Sequence, residues 1–234
     1  MINIFFDLDG PIIDVSERYY RAYLESLKGV SSNSPNILEK NEFWELKRNR
    51  ITDFEISLMS GLSANDARTS ADIRRELSFK SELLSLDKLF SDVYEVFESL
   101  KANRITFCIV TLRRKKQLLY AIKQFKLDKF IKSEFTFGLE DSHKITNDIQ
   151  EKHILLIQAL NKLETAPQEA WLIGDTDTDI FAGRLAKVSK IIGITRGIRS
   201  KEQLEILKPD YIVENLTEII SLISRPLSSI SNPQ

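Results

Sequence analysis

The chain has 234 residues, with 33 Lys and Arg against 34 Asp and Glu and a formal net charge of −1. Its 42% apolar and 29% charged residues exclude a disordered chain, and the even charge balance lacks the positive excess of a sequence-independent nucleic-acid binder. A single cysteine, Cys108, allows neither an internal disulfide nor a Cys-rich zinc site, so a reducing, cytoplasmic setting is expected.

The N-terminus has no basic segment and reaches an acid at Asp7, unlike a secretory signal. No apolar run approaches the ~18 residues needed to span a bilayer, so no membrane partner is expected. Residues 2–6 are mostly apolar and run into Asp-Leu-Asp-Gly-Pro, which predicts a buried strand ending in a tight turn. From about 15 to 85 there is no convincing strand. The pattern there predicts helices over 15–28, 37–48, 51–59 and 63–80, with Ser63 and Asp66 marking a helix start and a linker-like break at Ser31–Pro35. Beyond it, strands are predicted at 104–111, 170–173 and 188–194, with weaker candidates at 134–137 and 210–213. Helices are predicted at 92–102, 113–125, 148–163, 177–186, 201–207 and 215–223. Alternating strands and helices predict an α/β fold, with a mainly parallel sheet flanked by helices and an all-helical insertion after the first strand. The units expected are residues 1–14 with 86–225, the insertion 15–85, and a frayed tail 226–234 rich in Ser, Pro and Asn.

Two acidic strand ends carry the chemistry. Asp7 and Asp9 are two apart on an extended chain and share a face, at the carboxyl edge where open α/β sheets bind ligands. A solvated turn is the alternative for these two alone. The run Ala-Trp-Leu-Ile-Gly-Asp-Thr-Asp-Thr-Asp at 170–179 repeats the pattern, with Asp175 at the strand end and Asp179 four residues on. Helix capping explains one or two of its acids, not three. Two such ends in one parallel sheet can converge on a hard cation such as Mg²⁺.

Asp7-Leu-Asp-Gly-Pro-Ile-Ile-Asp14 resembles the first motif of the haloacid dehalogenase-like hydrolases, and Gly174-Asp-Thr-Asp-Thr-Asp179 resembles their fourth. Thr111 ends a strand where the second motif places Ser or Thr, and Lys152, opening Lys-His-Ile-Leu-Leu-Ile-Gln-Ala-Leu, resembles the third. Lys144 is a rival for the third motif. The four occur in family order, the 15–85 segment fits the family's helical cap, and the phosphoglycolate phosphatase-like members look most similar.

The resemblance implies a Rossmann-like core and a Mg²⁺-dependent phosphatase acting on a small phosphate ester. Asp7 would attack phosphorus, and Asp9 would protonate the leaving group and then deprotonate water. Asp9 also argues against the dehalogenating branch, which lacks an acid there. Mg²⁺ would be held by Asp7, the Asp9 carbonyl and Asp175, phosphate by Thr111 and Lys152, and Asp179 would hold the lysine and metal-bound water. Leu112-Arg113-Arg114 depart from the small polar residue usual after this Thr, so Arg113 is left between phosphate binding and solvent. A phosphomutase or phosphotransferase on the same machinery, or an idle binding scaffold, are the alternatives. The substrate and oligomeric state are left open by the sequence. Lys47, Arg48 and Arg50 are expected on a solvated face, with reach to a substrate's distal anionic group as the alternative, His143 and His153 in non-catalytic roles, and Gly193 and Gly197 in backbone turns. Trp171 is expected in a core strand, and Phe43 and Trp44 in the packing of the insertion.

Overall fold

The computed structural model describes residues 2–30, 36–78, 80–143 and 146–224. In chain order they form β1 (Asn3–Phe6), β2 (Ile13–Asp14), α1 (Ser16–Lys28), α2 (Lys40–Arg48), α3 (Asp53–Met59), α4 (Ala64–Leu77), α5 (Ser81–Leu84) and β3 (Lys88–Leu89). There follow α6 (Val93–Ala102), β4 (Thr106–Arg114), α7 (Lys115–Gln124), β5 (Thr136–Leu139), α8 (Asp148–Lys162), β6 (Ala170–Gly174), α9 (Asp177–Leu185), β7 (Lys190–Ile194), α10 (Lys201–Leu207), β8 (Tyr211–Val213) and α11 (Thr217–Ile223). Two compact units result: Ile13–Lys88, and Met1–Ile12 with Leu89–Gln234. The expected linker at Ser31–Pro35 and the tail at 226–234 lie outside the described residues.

In the α/β unit the sheet order is β5-β4-β1-β6-β7-β8, with each neighbouring pair parallel. The strands are apolar on both faces, as helices on both sides require. Alternation sends Phe5, Cys108, Val110, Ala170 and Leu172 to one face, where Leu155, Leu156, Ala159 and Leu160 of α8 cover them. Phe6 meets Phe97 of α6 and Phe107 as an aromatic cluster, with Phe97 and Phe107 centroids 4.7 Å apart. β1 sits between β4 and β6, so the chain turns to one side of β1 and later to the other. Ligand crevices form at such switch points, beyond the strands' carboxyl ends.

β4 runs on to Arg114, past the end expected at 111, and α7 starts at Lys115. Its pairing with β5 slips in register between Val110 and Arg114, which keeps Arg113 on the strand rather than on the helix. Gly193 lies in β7, paired with Gly174 and Ile212, and not in a turn. The helix expected over 63–80 is α4, which ends at Leu77, and the short α5 that follows was not expected.

The helical unit is built on its own core. Tyr23 stacks on Phe43 at 4.9 Å, and Leu27, Leu38, Ile56, Leu62 and Ala67 close around them. The buried Tyr23 hydroxyl is matched by Ser60 Oγ at 2.8 Å and by the Leu38 N–H at 3.0 Å. Local signals start its helices: Thr52 and Glu55 form a capping box for α3, and Ser63 Oγ accepts the Asp66 N–H for α4. Lys47 is not on a freely solvated face: with Arg74 it grips Asp53, each at 2.8 Å. Arg48 lies 3.8 Å from Glu45.

Candidate active site

The register aligns Phe6 with both Ile109 and Ile173, so the carboxyl ends of β1 and β6 lie side by side, with β1 flanked on its other edge by Ile109 of β4, which itself runs on to Arg114. Asp7 follows Phe6, its N–H donating to the Ile173 carbonyl at 2.8 Å. Thr111 stands two residues past Ile109, and Asp175 two past Ile173. All three side chains are buried.

Lys152 comes from α8, whose start is fixed by Asn147 Oδ1 accepting the Ile149 and Gln150 N–H groups. Leu155, Leu156, Ala159 and Leu160 are three, four, seven and eight residues on, so Lys152 heads the helix's apolar stripe. That stripe carries it under the sheet edge, only 1% exposed. Its Nζ lies 2.7 Å from Asp7 Oδ1 and 2.8 Å from Asp179 Oδ1. Lys144 lies outside the described residues.

Asp179 does two things at once. Its Oδ2 accepts from the Thr176 N–H and hydroxyl at 3.1 and 2.7 Å, closing the capping box of α9, while Oδ1 faces Lys152. Asp177, the third acid of this turn, accepts from Arg199 Nε at 3.1 Å. Asp175 Oδ2 accepts the Ile198 N–H at 2.7 Å. Its Oδ1 is buried with no hydrogen-bond partner among the described residues.

Asp7, Asp175 and Asp179 each bring a carboxylate oxygen within 4.8 Å of the others, against the single ammonium of Lys152. Burial, opposed by Lys152 and reinforced by Asp179 and Asp9, pushes Asp7 up from 3.8 to about 7. Burial, then Asp179 and Asp7, raises Asp175 well above the usual carboxylate range. Burial pulls Lys152 down, but Asp179 and Asp7 outweigh it and raise it, keeping it charged. Three buried carboxylates with one cation lack positive charge, and a divalent ion with oxygen ligands fits that deficit. Asp7 and the orphaned Asp175 Oδ1 are the oxygens suited to it. Those of Asp179 are occupied.

Asp9 does not join this cluster. Its Oδ1 accepts from Arg113 Nε at 2.7 Å, with Arg113 Nη2 at 2.6 Å. The Thr111 hydroxyl accepts the Arg113 N–H at 3.2 Å.

Gly10 and Gly197 let backbone approach Asp175. Gly10 has φ +94°, and a Cβ there would stand 2.2 Å from the Asp175 carboxyl carbon. A Cβ on Gly197 would stand 2.0 Å from Asp175 Oδ2, so its role is close approach rather than a simple turn. The loop holding Gly197 is a part of the site that sequence reasoning missed. Arg196 donates to both Asp92 carboxylate oxygens at 2.7 Å and to the Pro11 carbonyl, with its guanidinium 4.1 Å from the Phe90 ring centroid. The loop's two Arg and one Gly were the only signal. His143 pairs with Glu151 at 2.8 Å, away from the acidic cluster, and His153 is half-buried on the flank of α8.

The sequence profile of the haloacid dehalogenase-like hydrolases matches residues 4–193, a stretch that carries every one of these acids and Lys152. The chain belongs to that family. Among curated relatives it is 26% identical to pyrophosphatase PpaX of Bacillus mycoides (strain KBAB4), over 95% of this chain and 97% of that one. It is 24% identical to pyrophosphatase PpaX of Anoxybacillus flavithermus, over 94% and 96%. A haloacid dehalogenase-like family hydrolase from Streptococcus pneumoniae shares the fold with a TM-score of 0.74 at 23% identity, over 96% of this chain and 99% of that one. A structure titled a predicted phosphoglycolate phosphatase, from Haemophilus somnus 129PT, has a TM-score of 0.72 at 20% identity, over 95% and 97%. As a haloacid dehalogenase-like hydrolase the chain is an enzyme with a mainly parallel α/β core. Among the described residues no helix is long and apolar enough to cross a membrane.

Proposed function

We propose that this hydrolase is a Mg²⁺-dependent phosphatase that works through an aspartyl-phosphate on Asp7. The observation that carries the reading is the buried cluster itself: Lys152 bridges Asp7 and Asp179, beside an Asp175 oxygen that has no donor among the described residues. Mg²⁺, held by Asp7, Asp175 and the Asp9 carbonyl, supplies positive charge for the transferring phosphoryl group.

The chain's own residues do the rest. An Asp7 carboxylate oxygen forms a bond to phosphorus while the bond to the leaving oxygen breaks, and Asp9 gives that oxygen its proton. Water then attacks the phosphorus of the acyl phosphate, Asp9 takes the water's proton, and phosphate leaves Asp7. Lys152 and the Thr111 hydroxyl hold phosphoryl oxygens, and Lys152 also balances the Asp7 charge. Asp179 keeps Lys152 aimed at Asp7. The helical unit acts as a cap that excludes bulk water. Pyrophosphate and phosphoglycolate, named for the relatives, are the first substrates to assay, in a soluble cytoplasmic setting.

The test is mass spectrometry after rapid quenching with Mg²⁺ and substrate. A phosphoryl adduct on Asp7 is expected to accumulate in Asp9→Asn, which keeps the nucleophile but lacks the base, and to be absent in Asp7→Asn. An adduct on another residue, or one that survives in Asp7→Asn, refutes the assignment.

A further inference from the structure

Arg113 is a large side chain at the edge of this site that the reaction described above does not use, and it touches a residue that the reaction does use. We propose that Arg113 is a positioning residue that aims the Asp9 carboxylate for its proton transfers; this rests on the phosphatase reading above.

Three observations carry it. Arg113 Nε and Nη2 both reach Asp9 Oδ1, at 2.7 and 2.6 Å, across 104 residues of sequence. An aspartate has two side-chain torsions, and gripping one carboxylate oxygen from two nitrogens of a planar fork restrains both. Burial is unequal: the Arg113 side chain is 5% exposed and that of Asp9 25%. Asp9 therefore faces outward and Arg113 stands behind it, which suits a residue acting through Asp9 rather than one meeting substrate itself. Finally, Arg113 is held in place. It lies on β4 inside the stretch where pairing with β5 slips register, and its N–H is tied to Thr111 Oγ1. Irregular strand ends of this kind re-aim side chains beside active sites. The tie also links the Asp9 support to the threonine proposed for phosphate.

Without Arg113, a quarter-exposed aspartate samples other rotamers, and a misplacement of about 1 Å can cost about 10²-fold in rate. The loss should fall on kcat, and it should depend on how much the leaving group needs a proton.

The experiment compares wild type, Arg113→Gln, Arg113→Lys, Asp9→Asn and the double variant Asp9→Asn/Arg113→Gln, with Mg²⁺, on p-nitrophenyl phosphate and on an alkyl phosphate. First-turnover release of the leaving group is measured beside kcat and KM. Arg113→Gln is expected to lower first-turnover release and kcat on the alkyl phosphate by roughly 10–100-fold, with KM within about threefold. The first-turnover loss on p-nitrophenyl phosphate should be smaller, and Arg113→Lys should recover part of the rate. In the Asp9→Asn background, adding Arg113→Gln should cost less than about twofold, because nothing remains to aim. A full-sized loss in that background overturns the proposal, as does a rise in KM with kcat held, which would make Arg113 a substrate-binding cation. Circular dichroism checks the fold of each variant. If Arg113→Gln fails to fold, the same cycle with Arg113→Lys decides, and additivity there overturns the proposal. A wild-type protein inactive on every phosphate with Mg²⁺ overturns the phosphatase reading instead.

Discussion

The two units bury charge in opposite ways. In the helical unit, charges are balanced where they lie: Arg18 and Asp87 meet at 2.7 Å with side chains only 4% and 1% exposed, and Arg18 also donates to the Ser78 carbonyl. Asp53 takes Lys47 and Arg74, and the Arg74 guanidinium lies 5.0 Å over the Tyr19 ring, which favours a cation as well. In the α/β unit, among the described residues, three carboxylates share one ammonium and an Asp175 oxygen has no donor. Buried charge with its partner in place holds structure, whereas buried charge of one sign left in excess marks a place for something to bind.

Breaking the balanced side should cost the most free energy and leave the chemistry alone. Asp87→Asn strands the Arg18 cation in the interior, and about 3–5 kcal/mol of stability should go, read from urea unfolding. Mg²⁺ binding by the folded variant should match wild type in titration calorimetry. Weakened Mg²⁺ binding there would undo the separation between the two kinds of site.

On the unbalanced side, Lys152→Met removes the cation that pairs with Asp7 and Asp179. Phosphatase activity should fall more than about tenfold, while circular dichroism shows the fold retained. Activity within twofold of wild type would remove Lys152 from the mechanism and point to Lys144.

A smaller effect, in pH, sharpens the contrast. Folding raises Asp7 from 3.8 to about 7 and raises Asp175 too, both mainly by burial. Between those values the metal-free folded state binds more protons than the unfolded state. The stabilising contribution of Asp7 is therefore full below 3.8 and is lost as pH climbs through about 7, and that of Asp175, raised as well, changes in the same direction. Mg²⁺ needs the ionised carboxylates. Its stabilisation, measured as the rise in Tm at saturating Mg²⁺, should grow with pH across that window. A rise in Tm that shrinks as pH goes up would contradict the origin assigned to these shifts.

Much of the fold was legible because its signals are local. The apolar runs at 2–6 and 170–173 each end in acids, Ser63 and Asp66 sit at a helix start, and Lys152 heads a stripe of Leu and Ala at helical spacing. Such patterns need only neighbours along the chain. The ends of β4 were not legible, because where a strand stops depends on its partner. The register slip against β5, carried by residues more than twenty positions away, keeps Arg113 in the strand.

The sequence by itself determined which acids end the first and sixth strands, that a helix between them carries a candidate lysine, and that a helical segment interrupts an α/β core. Only the tertiary structure decided what each side chain touches: Arg113 on Asp9, Arg196 on Asp92 and Pro11, the Ile198 N–H on Asp175, and Lys152 between Asp7 and Asp179. The reason is physical. Periodicity along a chain reports which face of an element is buried, but a hydrogen bond between residues a hundred apart depends on strand order and register, which no single segment encodes.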